Sequence, residues 1–152
     1  MRIVLTLILL FTAYACSTVL VQSQSGDLAG RWKIVMTFQD QSQRSLRFEA
    51  AESGKGSLLL EARSNWDEPG RPSEAKWMIT GQKRVTFYGR VEFPIGNVGR
   101  EPGILVFKGV FEKEALITGE FAFFPMDQDP TDPNAAPSKT GKFKATRVNS
   151  FL

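Results

Sequence analysis

Hydrophobic and polar side chains alternate in short segments from residue 31 to near the end of the chain, and turn-forming residues separate these segments. A period of two residues is typical of β-strands with one buried face and one solvated face. Helical periodicity is nearly absent after residue 29, so we expect an all-β protein. The pattern predicts eight strands, at about residues 31–38, 44–51, 57–63, 74–80, 83–93, 103–112, 115–124 and 141–149.

The links between the predicted strands differ in length in a regular way. Links after the second, fourth and sixth strands are short, whereas the links over 64–73, 94–102 and 125–140 are long. Alternate links of an up-and-down meander lie at the same end, so one end is closed by short turns and the other is ringed by loops. Eight such strands predict a closed antiparallel up-and-down barrel. A two-sheet β-sandwich is the alternative.

The N-terminal residues predict export rather than a strand. Residues 3–11 form an unbroken apolar run that is too short to span a bilayer. We therefore expect a secretory signal peptide over residues 1–23 and a single β-barrel domain over 24–152. Cleavage before Cys16 is the other reading, with a leader over 1–15 and a lipid anchor on that cysteine. Both readings predict an exported protein, secreted or periplasmic. In the second reading the protein is also anchored to a membrane through Cys16.

Charge and residue content exclude several classes of function. The chain has 19 basic and 16 acidic residues, a balance that argues against a nucleic-acid-binding protein. It has no histidine, and its only cysteine is Cys16, so Ser-His-Asp, Cys-His and His-ligated metal sites are excluded. We predict a protein that is not an enzyme, needs no cofactor or metal, and has no transmembrane span after the leader.

Three glycines, Gly89, Gly109 and Gly119, fall on the apolar phase of adjacent predicted strands. In one interpretation, the missing side chains leave a lumen for an apolar ligand. In the other, they let the strands bend or make room for bulky neighbours. The sequence leaves both interpretations open.

Recognition is expected at the loop-rich end, because long loops on a rigid scaffold usually carry it. The first hypothesis is a barrel that binds a small apolar or amphipathic molecule. The alternative is a secreted interaction module or inhibitor that uses the long loops of a filled barrel. Candidate ligand-binding residues at the rim and in the lumen are Trp66, Arg71, Trp77, Phe87, Ile95, Arg100, Phe107, Phe121, Phe124 and Met126.

Gly30 and Trp32 open the first predicted strand, and Arg147 in the eighth strand lies on the same phase as Trp32. Strands one and eight are neighbours in a closed barrel, so we expect the guanidinium to stack on the indole, an interaction of about 1 kcal/mol. With these residues the chain resembles the calycin barrels, that is, lipocalins and avidin-like proteins. The resemblance implies lipocalin-like ligand binding and a structural role for all three residues at the closed end. The chain departs from lipocalins in lacking their second motif and their disulfides.

Overall fold

The computed structural model describes residues 27–62, 70–95 and 99–150, except for the side chain of residue 95. The predicted leader therefore lies outside the described residues. Within the described ranges no helix is long and apolar enough to cross a membrane. The strands are β1 (Gly30–Phe38), β2 (Gln43–Ala50), β3 (Lys55–Leu60), β4 (Ser73–Thr80), β5 (Arg84–Ile95), β6 (Gly99–Lys113), β7 (Leu116–Pro125) and β8 (Lys139–Val148).

The eight strands close into one antiparallel barrel. Each strand pairs with the next along the chain, and β1 pairs with β8 from Arg31–Val148 to Phe38–Gly141. The predicted fold class and strand order are confirmed. The β-sandwich alternative is wrong, because the continuous ladder between the first and last strands leaves no gap that would divide the sheet in two.

Alternation of side chains fixes the register of the barrel. Trp32 pairs with Phe48 on one side and with Arg147 on the other, so residues of the apolar phase meet across the strands. A slip by one residue would turn every one of these side chains toward solvent. The apolar phase therefore lines the interior, where residues such as Ile34 and Leu105 have no exposed surface.

Four phenylalanine rings occupy the centre of the barrel, and we call them the core stack: Phe48, Phe87, Phe107 and Phe143. The Phe87 ring stacks on Phe48 with centroids 4.7 Å apart and on Phe107 with centroids 4.5 Å apart. Phe143 meets Phe107 edge-on at 5.0 Å. Full burial of one such ring contributes about 1.5–3 kcal/mol, so the core stack is a major source of stability.

The inner glycines bring neighbouring strands and rings close together. A Cβ atom on Gly109 would lie 2.6 Å from the carbonyl oxygen of Thr118 and 2.8 Å from Cζ of Phe143. One on Gly89 would lie 2.7 Å from a backbone oxygen, and one on Gly119 would also run into backbone atoms. These positions have no space for a side chain, which agrees with the interpretation that the glycines make room for their neighbours and not with the one in which they leave a lumen.

Gly30 and Trp32 near the start of β1 and Arg147 near the end of β8 close the short-turn end of the barrel. Cζ of Arg147 lies 4.6 Å from the centroid of the Trp32 ring, and the indole N–H donates to the carbonyl of Leu28 at 2.8 Å. Arg147 Nη1 donates to the carbonyl of Ala29 at 2.6 Å. Gly30 has a φ of 129°, and a Cβ there would lie 2.9 Å from Arg147 Nη1. The positive φ therefore favours glycine before this tryptophan, and a side chain there would also displace the guanidinium of Arg147.

One predicted loop is wrong. The link predicted over 94–102 belongs mostly to a hairpin, because β5 and β6 stay paired as far as Ile95 and Gly99. The prolines in this stretch signalled a loop, but they are tolerated where a strand has a neighbour on one side only. The ladder to β4 ends at Gly89 and the ladder to β7 ends at Gly103, so both prolines lie beyond these ends.

Candidate functional site

The barrel has a seam where its strands separate toward the loop-rich end. The ladder between β3 and β4 ends there at Leu58 and Ser73, and the ladder between β4 and β5 ends at Ala75 and Gly89. β5 continues to Ile95 beyond this point. The space left between β3, β4 and the continuing β5 is a pocket of about 250 Å³, which we call the seam pocket.

The floor of the seam pocket is apolar. Leu60 is 4% exposed and Val91 is 7% exposed, and both belong to the hydrophobic core. Gly103 adds backbone surface, and the Met126 side chain, which is 46% exposed, lies at the edge. A ligand in this pocket would contact the core directly.

The rim of the seam pocket is polar and charged. It carries Arg71 and Ser73 from the approach to β4, and Arg90 and Glu92 from the solvent-facing phase of β5. The Ser73 hydroxyl donates to the carbonyl of Arg90 and so joins the two sides of the pocket below the end of the ladder. An apolar floor with a few polar groups around it is the usual composition of a small-molecule site.

Local sequence explains why the approach to β4 is extended and well placed. Pro72 fixes its own φ and restricts Arg71 to extended conformations. The N–H of Gly70 donates to the carbonyl of Leu60 at 3.1 Å, and a Cβ on this glycine would lie 3.0 Å from the same oxygen. The Gly-Arg-Pro-Ser sequence therefore anchors one wall of the pocket against the end of β3.

Two of the candidate residues from the sequence, Arg71 and Met126, come together at the seam pocket. Sequence reasoning missed Arg90, Glu92 and Ser73. Arg90 and Glu92 alternate with the core residues Val91 and Phe93, which is the pattern of a solvated strand face. The one available signal was the difference in length between the fourth predicted segment, 74–80, and the longer fifth, 83–93, because a long strand beside a short one must leave an unpaired edge.

The aromatic candidates Phe87 and Phe107 belong to the core stack and have no exposed surface. Trp77 lies toward the short-turn end, where its indole N–H is within 2.9 Å of the carbonyl of Ala51 and 3.0 Å of that of Lys55. This tryptophan holds the turn between β2 and β3, so none of the three reaches the seam pocket.

Of the other candidates, Arg100 lies near the end of the β5–β6 hairpin, paired in register with Pro94. Phe121 and Phe124 line a separate depression on the outside of the barrel. Trp66 and the side chain of Ile95 lie outside the described residues.

The outer depression, which we call the outer groove, has a volume of about 880 Å³. It crosses the outer faces of β6, β7, β8 and β1 beneath the 126–138 loop, whose Pro130 forms part of its wall. Val106, Ala122 and Phe124 line its apolar part, and Glu120 lies between lysines of β6 and β8. Most of its lining comes from the outer face of the sheet, and Phe38 and Phe121 connect it to the edge of the core.

Internal hydrogen bonds shape the 126–138 loop. Asp129 accepts from the backbone N–H and the hydroxyl of Thr131, both at 2.8 Å. These two bonds, the backbone one first, hold the pKa of the exposed Asp129 carboxyl below its ordinary value. Asp132 accepts from the backbone N–H of Asn134 at 2.8 Å. The carboxylates in this acidic stretch therefore stabilise consecutive turns.

A charged pair covers the loop-rich end of the core. Lys139 forms an ion pair with Glu101, and its Nζ lies 4.9 Å from the ring centroid of Phe123 and 5.7 Å from that of Phe93. Arg44 of β2 is also buried at this end, with 3% of its surface exposed. Among the described residues, these groups therefore lie against the core at the loop-rich end, away from the seam pocket.

No family model and no curated protein matches the chain. A solved structure described as a redesigned β-barrel is similar to it, with 15% sequence identity and a TM-score of 0.48. The match covers 83% of this chain and 96% of the other.

Proposed function

We propose that the chain is an exported, non-catalytic barrel of calycin-like type that binds a small amphipathic molecule in the seam pocket. The observation that carries this proposal is the meeting of an apolar floor, Leu60 and Val91, with a charged rim at the loop-rich end. A ligand there loses apolar surface to the core while its polar end stays hydrated. The proposed binding site therefore lies at the side of the barrel and not in a central lumen, because the core stack fills the interior.

The calycin-like part of the proposal is supported by the closed end. Gly30, Trp32 and Arg147 adopt the arrangement expected from the resemblance, with the guanidinium over the indole ring. The export and non-catalytic parts are supported by the sequence alone, through the apolar run over 3–11 and the lack of histidine.

The proposal is tested by native mass spectrometry of the purified protein after exposure to a broad set of lipids and hydrophobic metabolites. Met126→Trp fills the edge of the seam pocket, and Met78→Trp is a matched control because Met78 is 53% exposed on the outer face of β4. We expect stoichiometric ligand binding that Met126→Trp abolishes and Met78→Trp preserves. Absence of binding across the set, or equal binding by both variants, would overturn the proposal.

The outer groove supports a second candidate function, a protein-interaction module or inhibitor. Its volume of about 880 Å³ and the turn-stabilised loop above it offer a preformed concave surface. Deletion of residues 127–137 would abolish capture of a protein partner if this function holds. Retention of capture after that deletion would exclude the groove as its binding surface.

A further inference from the structure

The charged side chains on the rim of the seam pocket have no ion-pair partner in the part of the chain that the structure describes. Arg71, Arg90 and Glu92 are all exposed, and none of them forms an ion pair with another residue in the ranges that the structure describes. Among the described residues of the rim, two positive charges and one negative charge give a formal charge of +1. Two guanidinium groups that share a small pocket repel each other, and one bound anion relieves this repulsion.

The hydrogen-bond donors on the rim favour the same kind of ligand. The Ser73 hydroxyl donates its proton to the carbonyl of Arg90, so it is not available as a donor to a ligand. The guanidinium groups of Arg71 and Arg90 are then the main donors, and their planar N–H arrangement matches a carboxylate. The Glu92 carboxylate disfavours a second negative charge on the ligand.

We infer that the seam pocket selects small amphiphiles with a single negative charge. Their anionic headgroup is bound by Arg71 and Arg90, and their apolar body lies on Leu60, Val91 and Met126. This inference rests on the proposed function and specifies its ligand class.

The size of the pocket limits the apolar body. A volume of about 250 Å³ is below the roughly 300–1,000 Å³ that is usual for drug-sized ligands. A medium-length alkyl chain fits such a space, with its end projecting along the edge at Met126. The flexible thioether of this residue adapts to chains of different shape.

The test compares three probes of equal chain length by isothermal titration calorimetry with the purified full-length protein. The probes are octanoate, octan-1-ol and octanedioate, which carry one, no and two negative charges. We expect octanoate to bind about tenfold more tightly than either of the others, as two charge-assisted contacts at an exposed site allow. Added salt should reduce this preference, because exposed charges are screened.

Substitutions of the charged rim residues test whether they cause the preference for octanoate. Arg71→Gln and Arg90→Gln should each weaken octanoate binding by about threefold to tenfold and leave octan-1-ol unchanged. Glu92→Gln should strengthen binding of octanedioate. Arg84→Gln is the matched control, because Arg84 is an exposed arginine at the opposite end of β5.

The outcomes separate this inference from the proposed function on which it rests. Equal binding of octanoate and octan-1-ol, or a preference that survives both arginine substitutions, would overturn charge selection and leave a binding pocket in place. Binding of none of the three probes would overturn the inference and count against the proposed function, which the broader ligand set then decides.

Discussion

Substitution of Phe107 by alanine tests whether the barrel interior is filled. The ring has no exposed surface, stacks on Phe87 at 4.5 Å and meets Phe143 edge-on at 5.0 Å. Its removal loses the transfer free energy of a buried aromatic, leaves a cavity and breaks the ring contacts with Phe87, Phe121 and Phe143. The cost expected for such a substitution is about 3–5 kcal/mol of the free energy of unfolding. In a barrel with an open lumen, most of this cost would not arise, because the ring would already border empty space.

Chemical denaturation followed by tryptophan fluorescence measures this cost. Val110→Thr is the control, since Val110 lies on the same strand, is 41% exposed, and should change stability by less than about 0.5 kcal/mol. The Phe107→Ala cavity should also bind a small apolar compound such as benzene, raising the melting temperature of the variant and not of the parent protein. A loss of less than about 1 kcal/mol, or an equal benzene effect on the parent, would refute the filled interior.

Three further predictions concern strand spacing, the closed end and the acidic loop. Gly109→Ala should cost about 1–3 kcal/mol by overpacking, whereas Gly99→Ala, whose Cβ would have no atom of the described residues within 4 Å, should not destabilise the fold, as thermal unfolding will show. Trp32→Ala should cost several kcal/mol, and a loss near zero in denaturant titrations would contradict its role at the closed end. Thr131→Val removes one of the hydrogen bonds to Asp129, so the pKa of that carboxyl should rise toward its ordinary value. Carboxyl NMR titration measures this shift, and an unchanged pKa would contradict the cause assigned to it.

The strand pattern was predictable because period-two alternation sets both the strands and their buried face. The second strand was expected at 44–51 and lies at Gln43–Ala50, and the seventh was expected at 115–124 and lies at Leu116–Pro125. The β5–β6 hairpin was not predictable in the same way. Proline has the same backbone preferences in a loop as on a strand edge without a neighbour. Whether residues 94–102 form a loop or a hairpin therefore depends on where β4 and β7 end.

The candidate site was only partly predictable, for a related reason. Arg71 was expected at the rim because it lies in a long link, and it lines the seam pocket. Arg90 lines the same pocket, but its alternation with core residues is that of any solvated strand position. Whether such a residue faces bulk water or a pocket depends on where the neighbouring ladder ends, and that is a property of the whole barrel.

The methionines allow a direct test of the central claim that a ligand binds at the seam and not in the core. Met126 lies at the seam pocket, Met36 is fully buried in the core, and Met78 is exposed on the outer face. The measurement is a titration of protein labelled with ¹³C at the methionine methyl groups, with octanoate as ligand. We expect a saturable shift of the Met126 signal, with the Met36 and Met78 signals unchanged. A shift of Met36 without one of Met126 would place the ligand inside the barrel and contradict the account.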